Sequence, residues 1–90
     1  MSLADQFRSN VGAGLQKVAD ILAQPFDPEN YRFARLQLEA SLSMINNATK
    51  IEAAALQSPK HNDILTEFCR DVAAAISSAT QMRHRLQASP

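Results

Sequence analysis

Ninety residues are enough for one hydrophobic core and too few for two domains, and folding at that size buries roughly 60–65% of the unfolded surface. Apolar residues form 46% of the chain and charged residues 20%, a balance that excludes both a disordered tail and a membrane protein. Nine basic side chains cancel nine acidic ones and both kinds are scattered along the chain, so no general attraction to phosphate arises and nucleic acid is not an expected partner.

The first element is a helix over about residues 3–24. Leu3, Phe7, Val11, Leu15, Val18 and Leu22 recur at spacings of four and three, which places them on one stripe. Ser2 with Asp5 three residues later forms an acidic variant of the capping box. Gly12 and Gly14 sit inside the stretch, each costing up to about 1 kcal/mol relative to Ala, so this helix depends on a neighbour. The punctuation Pro25-Phe26-Asp27-Pro28 ends it.

A second helix runs from Pro28 to about 57, with Asp27 as N-cap and Pro28 at the first helical position, where its missing N–H and preset φ suit the helix. It carries two apolar stripes. One passes through Tyr31, Ala34, Leu38, Leu42, Ile45 and Ala48; the other passes through Phe33, Leu36, Ala40, Met44, Ile51 and Ala54. Residues 36 and 38 lie about 200° apart on a helical wheel, so the stripes face different neighbours. Phe33, Leu36, Met44 and Ile51 are the candidate interaction residues, serving either as core or as a partner surface. Arg32, Arg35, Glu39, Ser43, Asn46, Lys50 and Gln57 form a polar line between the stripes.

After a second break at Ser58-Pro59-Lys60-His61-Asn62, a third helix over about 63–87 begins with a cap near Asn62 or Asp63. It carries Leu65, Phe68, Val72, Ile76, Ala79, Met82 and Leu86. Asp63 and Glu67 at its start and Arg83 and Arg85 at its end match the helix dipole, which also accounts for the basic cluster Arg83-His84-Arg85. The residues from Leu86 onward are expected to fray. With linkers of about five residues, the expectation is a single all-α domain over 1–90. It is either a three-helix antiparallel bundle or a long helical hairpin with a third docked helix.

Chemistry is sparse. The only glycines lie within a helical pattern, so no phosphate-binding loop exists, and His61, His84 and Cys69 stand in no metal-ligand register. Cys69 has no local base to activate it, and the i, i+4 carboxylate pairs Asp63/Glu67 and Glu67/Asp71 are common on solvated helices. The reading is therefore no enzyme, no cofactor, no metal and no small-molecule substrate. The lone cysteine reads as a small buried hydrophobe in a reducing compartment. Asn47-Ala48-Thr49 matches a glycosylation acceptor but falls within a helix. No run approaches the roughly 20 apolar residues of a spanning helix, and Met-Ser-Leu-Ala-Asp is unlike a secretory signal. The expected location is the cytoplasm, with export by a route that needs no signal peptide left open.

The stretch Leu22-Ala23-Gln24-Pro25-Phe26-Asp27-Pro28-Glu29-Asn30, with Leu36-Gln37 and Asn47-Ala48 beyond it, resembles the helical hairpin of needle subunits in bacterial type III secretion systems over about residues 15–56. The chain departs from that pattern by continuing through Pro59 for about thirty residues. The leading expectation is a small helical protein-interaction or assembly module, self-associating as a homo-oligomer or bound to a protein partner. The resemblance implies the alternative, a polymerising structural subunit or a chaperone of such a secretion apparatus.

Overall fold

The computed structural model describes residues 3–56 and 63–88. Ser2, Gln57 and the break at 58–62, including His61 and the Asn62 cap, lie outside these residues, as do the side chains of Leu3, Asp63 and Leu65. Among the described residues every regular element is a helix. The N-terminal rod consists of α1 (Leu3–Phe7), a π-helical turn (Arg8–Gly12) and α2 (Ala13–Leu22). The residues flanking the wide turn keep ordinary right-handed dihedrals, so the rod is continuous. The wide turn falls on Ser9, Asn10, Val11 and Gly12, all weak helix formers, where the tighter α geometry is least favoured. α3 spans Pro28–Leu56 and α4 spans Asp63–Gln87.

The first rod stops at Leu22 because Pro25 disfavours α dihedrals in the residue before it. Its last turn closes by Ala23 N–H to Ala19 O at 3.0 Å and Gln24 N–H to Ile21 O at 3.1 Å. Asp27 Oδ1 then accepts from the backbone N–H groups of Glu29 and Asn30 at 2.9 and 3.2 Å, satisfying two otherwise unpaired donors of α3. Phe26 packs edge-on against Tyr31 at 4.8 Å between ring centroids, fixing the angle at which the chain enters α3.

The long-range contacts set the directions of the three rods. Phe7 meets Phe68 edge to face at 5.7 Å, and Arg85 donates to Leu22 O at 3.0 Å, so the N-terminal rod and α4 run parallel. Arg35 near the start of α3 donates to Leu86 O near the end of α4 at 3.4 Å, so α3 runs antiparallel to both. The result is an up-down-up bundle measuring 49 × 22 × 15 Å, in which the third helix docks on its own chain. α4 remains helical through Gln87 with Leu86 only 3% exposed, so the expected fraying does not begin at Leu86.

The core is a single cluster built from one stripe per rod. Phe7, Val11, Leu15, Val18 and Leu22 are buried as their spacing implies, with Ala4 added beside them. In α3 the inward line is Tyr31, Ala34, Leu38, Ser41, Ile45 and Ala48, while Leu42 is only partly buried. In α4 the line is Phe68, Val72, Ala75, Ala79 and Leu86 with Met82 packed against it. Ile76, assigned to this stripe from its hydrophobicity, is 42% exposed and its neighbour Ala75 takes the place. The spacing 68, 72, 75, 79, 82, 86 repeats four and three without interruption, and a residue one step off that register turns about 100° away.

The two glycines have different surroundings. A Cβ on Gly14 would lie 2.6 Å from Ser41 Oγ and 2.8 Å from Gln37 Nε2, so the absent side chain lets α2 approach α3 over the buried Ser41. A Cβ on Gly12 would meet nothing within 4 Å. Gly12→Ala is therefore expected to raise stability by up to about 1 kcal/mol, and Gly14→Ala to lower it by about that much despite the better helix propensity. Urea unfolding of the two variants checks this; equal shifts in the same direction would contradict the close approach.

Candidate functional site

The second apolar stripe of α3 is not covered by the other described residues. Phe33, Leu36, Met44 and Ile51 are 49%, 61%, 43% and 48% exposed, and Ala40, Asn47 and Ala54 are exposed beside them. From Phe33 to Ile51 the face extends about 27 Å along the helix. Large apolar side chains gathered on one face differ from the scattered exposure found on any surface, and such patches mark contact sites. α3 is long enough to bury one stripe against α2 and α4, and two neighbours cannot also cover the stripe on its other side.

The face borders a groove. Met44, Asn47 and Ile51 on one side and Gln6 and Asn10 of the N-terminal rod on the other flank a depression of about 220 Å³, with the buried Phe68 beneath it. Both its walls belong to helices that are locked together by the core, so the groove is a preformed feature of the bundle. Gln37 is half-buried beside Gly14, and neither Gln37 nor Asn47 has a hydrogen bond from its side-chain amide among the described residues.

The other candidates have structural surroundings. Arg8, in the π-helical turn, pairs with Glu67 and with Asp71 Oδ2 at 2.8 Å, and reaches Asp5 Oδ1 at 3.5 Å. The i, i+4 carboxylates of α4 therefore hold the N-terminal rod to α4 through one guanidinium. Arg85 of the basic cluster donates to the last turn of α2, and Arg35 of the polar line donates to the last turn of α4. Both satisfy free carbonyls at helix C-termini. Among the described residues no group of three metal-binding side chains comes together, and no helix is long and apolar enough to cross a membrane.

Cys69 is half-buried next to Glu52, and its pKa is raised, chiefly by desolvation and then by the carboxylate charge and hydrogen bond of Glu52. A thiol held protonated is a poor nucleophile at neutral pH. Alkylation of Cys69 at pH 8 is expected to be slower than that of a free cysteine peptide, with the rate rising only at higher pH. Reaction with iodoacetamide across a pH series measures it, and a rate at pH 7 above the peptide's would reverse the assignment. Cys69→Ser is expected to leave association unchanged.

These features define the chain by class as an all-α three-helix bundle with one uncovered apolar helix face. No family model matches the chain, and no characterised protein or solved structure matches it.

Proposed function

We propose that this chain is a protein-interaction and assembly module that acts by docking the α3 face containing Phe33, Leu36, Met44 and Ile51 onto another protein surface. The observation that supports this reading is the exposure of those four side chains together, between 43% and 61% each, on a helix whose opposite side is already in the core. Removing apolar surface from water contributes about 25 cal/mol per Å², which gives the face a driving force for association and no comparable role in an isolated monomer. Repeated heterologous contacts through such a face would build a polymer, the alternative attached to the needle-subunit resemblance. Light scattering coupled to size exclusion at several concentrations tests the reading. A discrete oligomer, or a complex of fixed stoichiometry, is the result expected of a module, and growth without limit is the result expected of a polymerising subunit. A chain that stays monomeric and binds no protein through α3 would overturn both.

A further inference from the structure

The α3 face has a pattern beyond hydrophobicity. Phe33, Gln37, Ala40, Met44, Asn47 and Ile51 follow one another at spacings of four, three, four, three and four, the repeat of a two-helix seam. Two of its positions are amides with no hydrogen bond among the described residues, Asn47 exposed on the seam and Gln37 half-buried at its α2 edge with its amide nitrogen beside Gly14. If a face of this kind meets an apolar surface, Gln37 and Asn47 are desolvated without partners. Its complement must therefore offer an amide at the matching layers, a small residue opposite Met44 and a large apolar one opposite Phe33 or Ile51.

The face itself meets this description when reversed. Resting on the function proposed above, we infer that its occupant is a second copy of this chain, with α3 packed antiparallel on α3. Phe33 then lies opposite Ile51 of the second copy, Gln37 opposite Asn47 once its amide turns from Gly14 toward the seam, and Ala40 opposite Met44, each layer occurring twice by symmetry. Apolar meets apolar in the outer layers, amide meets amide in the next, and small Ala40 meets large Met44 in the central ones. The same pairing sets Phe33 of the second copy over the groove of about 220 Å³ beside Met44, Asn47 and Ile51. Shifting the antiparallel helices by seven residues would set Met44 against Asn47 and Gln37 against Ala54, stranding both amides. Parallel pairing would stack Ala40 on Ala40, leaving a gap, and would place Phe33 far from the groove. Leu36 and Lys50 flank the seam next to each other across the two copies, where the lysine stem covers the leucine.

The test exploits the amide layers, which are ten residues apart within one chain and adjacent only between antiparallel copies. Sedimentation equilibrium of the full chain is expected to give a dimer within protomer concentrations of up to about 1 mM. Gln37→Lys with Asn47→Lys puts like charges in both layers and is expected to weaken the dimer at least tenfold. Gln37→Glu with Asn47→Lys puts opposite charges there and is expected to restore it to native strength or better. Circular dichroism confirms that both variants fold. In a Cys69→Ser background, a mixture of Gln37→Cys and Asn47→Cys chains should cross-link to each other, while neither should cross-link alone. A native monomer that still binds a different protein through Leu36 would overturn the second copy as occupant and leave the assembly function standing. A dimer indifferent to both charge variants and to Leu36→Asp would overturn both.

Discussion

Phe68→Ala is expected to lower the melting temperature by about 15–25 °C, the largest effect of any single truncation in the bundle. Phe68 is 2% exposed and stacks edge-on with Phe7, so it joins α4 to the N-terminal rod at one end of the core. Truncating a buried Phe removes its transfer free energy and leaves a cavity, together about 3–5 kcal/mol. A chain of this length has a total stability of about 5–13 kcal/mol, so the loss is a large share of the whole. Thermal melting followed by circular dichroism measures the change, and a shift of only a few degrees would mean that this end of the bundle collapses freely around the void.

Leu36→Asp is expected to separate folding from association. The side chain is 61% exposed, so the aspartate remains solvated in the monomer and melting should stay within about 4 °C of native. In a complex the substitution removes the leucine's apolar contact, and in the inferred dimer the carboxylate lies beside Lys50 of the second copy at the flank of the seam, so association is expected to weaken by about tenfold. Melting at low concentration and light scattering at high concentration read the two effects independently. An unfolded variant would show that the face belongs to the core in solution, and a folded, fully associated one would move the contact elsewhere on the bundle.

The all-α class was legible because three segments have the helical period and the proline-flanked turn between the first two has capping chemistry, all local properties. Asp27 illustrates this: its cap needs only the next three residues, and it forms as the local pattern implies. Ile76 illustrates the opposite. Hydrophobicity assigned it to the core, whereas the seven-residue register shared with α3 and the N-terminal rod turned Ala75 inward and left Ile76 exposed. Ser41 and Gly14 were likewise invisible as a pair, since neither is apolar and only the approach of α2 to α3 brings them together.

The sequence by itself determined that α3 has two apolar stripes, because the spacing of side chains around a helix is set by backbone geometry alone. Which stripe is buried was decided by the tertiary structure. Among the described residues α3 packs on the N-terminal rod and on α4, and both lie on the side of Leu38 and Ile45, where the buried lines of the three rods meet in one core cluster. The carboxylates of Glu67 and Asp71 and the arginines near the helix ends, ambiguous as sequence motifs, gain their roles from residues 50 or more positions away. Long-range pairing of that kind leaves no periodic trace, whereas an uncovered stripe does, and that is why the candidate face could be named before its exposure was known.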